Sequence, residues 1–325
     1  MIPNHTARGG ILGGGRAPAP RSLVLPGPRA LVALAALAAA LPARAALNVV
    51  ATTEGLASLA REVGGARVSV ESLCRGVQDP HFVDPNPTLA VKLRRADLLV
   101  DVGLDLEVGW LPPLVTQSRN AEIQPGGRRR LSAASAVAVL ETPSGPVDRT
   151  QGDLHPAGNP HFLADPRRAR QVAGAIAGRL AQLDPAGAAS YQANLAAFSR
   201  RLAEAEARWA AELAPLKGRK VVTHHRTLTY FLDWSGLDLA GVLEPKPGVP
   251  PPPSHLADLV GVVKREGVKA VAVENYYDPK SGELVARLGG ARLVGIPGDV
   301  GGVPAATGYL EYLDALVRLL SQAVR

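Results

Sequence analysis

Twice along this chain, short apolar runs alternate with helical patterns, and one long Ala-rich stretch without glycine, residues 194–216, separates the two series. In the first series LNVVATT (47–53), ARVSVESL (66–73) and DLLVDVG (97–103) read as strands, with GLASLAREVGG (55–65) and PTLAVKLRRA (87–96) as helices between them. In the second, KVVTHH (220–225), LDLAGVL (237–243), VKAVAVE (268–274) and ARLVGIP (291–297) are the strands. Their helices are TLTYFLDWSG, SHLADLVGVVKREG with Ser254 as N-cap, SGELVARLGG and YLEYLDALVRLLSQAV. Strand–helix–strand repetition gives βαβ units and mainly parallel sheets. The expected fold is therefore α/β: two lobes joined by one long rigid helix. The boundaries are 46–185 for the first lobe, 186–217 for the linking helix and 218–325 for the second lobe.

Ligands of open parallel sheets bind beyond the carboxyl ends of the strands. Three chemically capable residues stand in such loops, His81 in DPHFVDPNP, His225 in VVTHHRTLTYF and Asp299 in GIPGDVGG, and a fourth, His161 in GNPHFLADP, sits in the turn before a helix. Two come from each lobe, so they converge only in the cleft between lobes. Three imidazoles and one carboxylate make a closed tetrahedral set for Zn(II). Proline on either side of His81 and His161 stiffens the backbone and lowers the entropic cost of ligation. His224 competes with His225, but adjacent strand residues face opposite ways, so only one points into the cleft. Glu274 is the competing carboxylate, or a group behind the ligands. Cys74 reads as a buried apolar residue, and as the single cysteine it forms no internal disulfide.

The formal net charge of +7 invites a nucleic-acid reading. Five of those charges, Arg8, Arg16, Arg21, Arg29 and Arg44, lie in residues 1–45, which hold no acid. The remainder is nearly balanced, so no nucleic-acid partner is expected. Residues 1–45 instead carry the marks of a signal peptide: an Arg-bearing start, the apolar run LVALAALAAAL and small residues at Ala43 and Ala45 for cleavage. No Cys follows the apolar run, which predicts a periplasmic, secreted and unlipidated product.

From about residue 47 to the end, these motifs together resemble the periplasmic substrate-binding proteins of zinc and manganese ABC transporters, the cluster A-I type. The resemblance is carried by the stretch from VVATTEGLASLAREVGG to GLDLEVGWL, by NPHFLADP, by VVTHHRTLTYFLDWSGL, and by VKAVAVE with GIPGDVGG. It implies limited hinge motion between the lobes and the ligands His81, His161, His225 and Asp299. The Tyr-Phe pair at Tyr230 and Phe231 sets the register in which His225, not His224, is the ligand. It further implies a monomer that is not an enzyme. Its partners would be an ABC transporter membrane permease and a periplasmic zinc chaperone. The acidic His-rich loop of zinc members is reduced here to GDLHPAG, with one His155, expected to aid capture outside the final ligand set.

An imidazole at His225 favours zinc, since manganese prefers oxygen donors. A manganese or other divalent-metal binder of the same family is the alternative. A secreted zinc hydrolase is a further one, but it needs an open coordination position and a base, and the chain has no H-E-x-x-H motif. Three ordinary imidazoles would lose zinc to protons between about pH 7 and 5.

Overall fold

The structure is a computed structural model that describes residue 15, residues 46–145, 155–246 and 248–325. The signal-peptide reading of 1–45 falls outside the described residues. Among the described residues, no helix is long and apolar enough to cross a membrane.

The first sheet contains β1 (Leu47–Ala51), β2 (Val68–Ser72), β3 (Leu98–Asp101) and β4 (Arg130–Ser132), in the order β2-β1-β3-β4. The second contains β5 (Lys220–Thr223), β6 (Asp238–Val242), β7 (Ala270–Glu274) and β8 (Arg292–Ile296), in the order β6-β5-β7-β8. Every pairing is parallel. The inner strands β3 and β7 are buried along their whole length, as a parallel sheet covered on both faces requires. β4 escapes a reading by periodicity because it is three residues long and buries only Leu131.

The helices are α1 (Glu54–Gly64), α2 (Pro87–Arg94), α3 (Leu111–Ser118), α4 (Pro166–Leu183), α5 (Ala188–Leu213), α6 (Thr229–Ser235), α7 (Pro253–Glu266), α8 (Lys280–Gly289) and α9 (Tyr309–Val324). Local chemistry sets their starts. Thr53 caps α1 by accepting from the Leu56 N–H, Asn86 caps α2 before Pro87, and Asp165 caps α4 before Pro166. Ser254 is not a cap: α7 begins one residue earlier, at Pro253, with Pro252 extended before it. A proline ring already fixes helical φ at the first position, so no side-chain cap is needed there.

Pleat alternation sorts the core. Val49 and Val221 face one large cluster that contains residues of both sheets, while their neighbours Val50 and Val222 face separate clusters on the outer sides. The shared cluster is built around α5, whose 26 residues span about 39 Å. Tyr191, Phe198, Leu202, Ala205, Trp209 and Leu213 form its buried stripe. The Phe198 ring meets Tyr309 of α9 edge to face, 6.3 Å between centroids. Phe198→Ala is expected to cost about 3–5 kcal/mol of stability, the range for a fully buried ring, read as a lowered urea midpoint with an unchanged slope.

Candidate metal centre

Each of the three histidines is fixed by its own loop. Asp79 Oδ1 accepts the His81 backbone N–H at 2.9 Å and stands 2.7 Å from Nδ1 of the same ring. The Trp110 indole pins the peptide just before it, donating to the Pro80 carbonyl at 2.9 Å. Asn159 Oδ1 accepts the His161 backbone N–H, and its amide donates to Glu141 and to the Arg226 carbonyl. The loop bearing His161 is thereby tied to the loop that follows His225. His225 leaves the end of β5, with Nδ1 3.3 Å from Glu244 Oε2.

The three rings converge. Centroid separations are 5.2 Å for His81–His161 and 5.3 Å for both His81–His225 and His161–His225. One ring nitrogen from each lies within 4.8 Å of the others. His224 turns the other way: it stacks on Tyr277 at 4.1 Å, with Nε2 3.3 Å from Glu244 Oε1. Ionised carboxylates only accept hydrogen bonds, so Nδ1 of His81 and of His225 is the donor to its carboxylate. His161 Nε2 is buried and has no partner. Each ring thus keeps one nitrogen free of any carboxylate.

Burial disfavours the charged form of two of these rings. It pulls His161 well below the usual imidazole range, helped by His81 and His225. It lowers His225 too, although Glu244 opposes it. Burial pushes Glu244 up, but hydrogen bonds from His224 and His225 more than offset this and hold it at about 2. Asp79 is pushed up by burial, then carried below its ordinary value by His81.

Asp299 stands apart from the trio. It lines the same cleft as His161, yet Oδ2 takes the Gly55 N–H at 3.0 Å and Oδ1 the Val300 N–H at 2.8 Å. Burial pushes it up to about 6 against those two bonds. Glu274 is outside the trio as well. Thr227 donates to Oε1, Oε2 has no partner, and burial pushes the carboxyl up to about 7. His155 is buried: Nε2 lies 3.3 Å from His81 Nε2, and burial followed by its imidazole neighbours brings it down to about 3.

Asp79 and Glu244 are the site residues that sequence reading passed over. Asp79 had a signal, an acid two residues before His81 able to turn back on its own backbone. Glu244 had none locally. Parallel pairing of Thr223 with Val242 carries it beside His224 and His225. Replacing Glu244 by Ala is expected to weaken metal binding about 10–100-fold by freeing the His225 ring to rotate. Glu244→Gln, whose amide oxygen still accepts the N–H, should lose less in a chelator competition.

The sequence profile of a family described as "ZnuA: Zinc-uptake complex component A periplasmic" matches residues 49–323. The manganese ABC transporter substrate-binding lipoprotein PsaA of Streptococcus pneumoniae is 26% identical over 250 residues, 74% of this chain and 76% of its own length. The zinc-binding lipoprotein AdcA of Streptococcus pneumoniae (strain ATCC BAA-255 / R6) is 24% identical over 74% of this chain and 46% of its own. A crystal structure of ZnuA superposes with a TM-score of 0.73 at 25% identity, covering 86% of this chain and all of that one. A manganese-bound periplasmic metal-binding protein of candidatus liberibacter asiaticus superposes with a TM-score of 0.72 at 18% identity, which bears on the fold alone. The expectation of a periplasmic, unlipidated product is corrected by these relatives: PsaA, AdcA and ScbA of Streptococcus cristatus are all named lipoproteins. A missing Cys after the apolar run was too narrow a ground for it. With the profile running through both lobes, the chain belongs to the ZnuA family, among the substrate-binding proteins of metal ABC transporters.

Proposed function

We propose that this chain captures Zn(II) with His81, His161 and His225 and delivers it, as a monomer, to the permease of its ABC transporter. A zinc chaperone is a second partner under the same reading. The observation that carries it is the convergence of three imidazoles, with ring nitrogens within 4.8 Å of one another. Nitrogen donors suit zinc, whereas manganese prefers a shell richer in carboxylate oxygen. The carboxylates closest to the rings, Asp79 and Glu244, are engaged with the imidazole Nδ1 atoms and act through them. Relatives named for zinc and for manganese both match this chain, so the donor set carries the choice. Proteins of this family are transport proteins and not enzymes, which removes the hydrolase alternative.

The test is direct competition. Purified protein stripped of metal is titrated with zinc, then with manganese, against a chelator of known affinities. Zinc is expected to bind one per chain and resist displacement by a hundredfold excess of manganese. Equal affinity for the two metals would overturn the zinc assignment, and no binding of either would overturn the site.

A further inference from the structure

We propose that Glu141 is a positioning residue that clasps the two lobes together and holds the His161 and His225 loops in register for one ion. The inference rests on the reading that His81, His161 and His225 bind the metal. Glu141 is not a ligand in this account: it acts through Asn159 and Arg226.

Its carboxylate joins the neighbours of one ligand from each lobe. Glu141 lies on the first-lobe side, between β4 and the His161 loop. Oε2 accepts the Asn159 amide at 2.9 Å and the Thr229 hydroxyl at 3.2 Å. Oε1 accepts the Arg226 guanidinium at 2.6 Å. Asn159 in turn takes the His161 backbone N–H on its Oδ1 at 2.9 Å and donates to the Arg226 carbonyl at 2.9 Å. Arg226 directly follows His225, and Thr229 opens α6 of the second lobe. Moving the His161 loop away from the His225 loop would break all of these bonds at once.

The backbone at Glu141 is bent to make that reach. Its φ is 53°, in the left-handed region that a residue with a Cβ rarely adopts. Such a conformation persists only where its surroundings over-determine it, and it gathers at functional sites. The surroundings here are on the page. The Leu140 N–H donates to the Tyr230 hydroxyl at 2.9 Å, and the Leu140 carbonyl accepts the Asn159 N–H at 2.9 Å. The Tyr230 hydroxyl donates onward to the Asn159 carbonyl at 2.6 Å. Residue 140 is thus seated on α6 and on the His161 loop, and the next side chain bridges both.

Stability alone does not account for this arrangement. The Arg226 and Glu141 side chains are 45% and 32% exposed, and an ion pair so open to water adds little to folding. A weak pair built on a disfavoured backbone gains its value from where it holds two loops.

Zinc kinetics on the full chain test the clasp, with release read as transfer to an excess of a coloured chelator. Glu141→Ala is expected to release zinc about tenfold faster while capturing it at the wild-type rate, so that its affinity falls about tenfold. Glu141→Gln keeps an oxygen for Asn159 and Thr229 but turns an amide N–H toward Arg226, and its release rate should lie between the two. Arg226→Ala removes the same contact from the other side. Combined with Glu141→Gln it should release zinc no faster than the worse single variant, because one interaction is lost only once. The metal-free variants should keep the wild-type urea midpoint. The proposal is overturned if Glu141→Ala releases zinc at the wild-type rate, or if the two substitutions add independently. It is equally overturned if faster release comes with a lowered urea midpoint in every variant, which would make Glu141 a stabilising residue only. A wild-type chain that binds no zinc removes the three-histidine site and this proposal together, an outcome distinct from failure of the Glu141 variants.

Discussion

His161→Ala should lower zinc affinity by about 10²–10³-fold. A structural zinc shell is worth about 10–16 kcal/mol in all, so one ligand of four carries roughly 2.5–4 kcal/mol, and every 1.4 kcal/mol is tenfold. His161 is the sharpest choice because its Nε2 is buried and has no other partner, so its loss breaks no hydrogen bond of that atom. His81→Ala and His225→Ala should fall in the same range, with the added release of Asp79 or Glu244. His224→Ala is the control. Its ring is stacked on Tyr277, away from the trio, and the variant should stay within about tenfold of wild type, the low end for a group behind the ligands. Calorimetry on the four variants decides: loss of binding in His224→Ala with retention in His225→Ala would reverse the register.

Acid should release zinc later than three ordinary imidazoles would allow. A free imidazole titrates near about 6.5, which places proton competition between about pH 7 and 5. In the folded chain burial lowers His161 and His225, so both take up a proton at lower pH than a free imidazole does. The sign follows from linkage. A ligand whose metal-free pKa is depressed binds no proton until the pH nears that lowered value, so metal binding displaces none above it. Zinc affinity should therefore change by less than about tenfold from pH 7 to 6 and fall more steeply only at lower pH. A chelator competition with known pH dependence measures it. A loss approaching a thousandfold between pH 7 and 6 would mean three protons displaced there, and rings that are solvated in the metal-free protein.

The lobes and the trio were legible because each depends on local pattern. Strands such as VKAVAVE are short, apolar and bounded by turn residues, and a histidine at a strand's carboxyl end, such as His225, needs only the strand to be recognised. The linking helix was legible as an Ala-rich run without glycine, with ends that differ from expectation by a few residues because short 3₁₀ turns at Pro185–Gly187 and Ala214–Leu216 flank it. What stayed hidden depends on partners remote in sequence. Nothing near Asp299 announces that the Gly55 amide, 244 residues away, takes one of its oxygens. Nothing near His155 announces that a strained turn at Leu104 waits beside it. Glu244 reaches His225 only through strand register. Acid–histidine pairs made by sheet pairing are invisible to motif spacing.

The last helix has a consequence for how the molecule is made. The Tyr309 N–H at the start of α9 donates to Ser58 Oγ on α1, 251 residues earlier, and its hydroxyl donates to the Leu163 carbonyl. Trp209 of α5 donates to Asp314 of the same helix at 2.5 Å. The first lobe therefore lacks part of its wall until α9 arrives. Contacts this distant in sequence close late, since the loop-closure entropy comes before any reward. Domains commonly fold from the N-terminus while synthesis is still under way. This one cannot finish in that order: a chain shortened before Tyr309 should hold its early strands in a loose, protease-sensitive state, and native packing should appear in one cooperative step after the last turn of α9 is released.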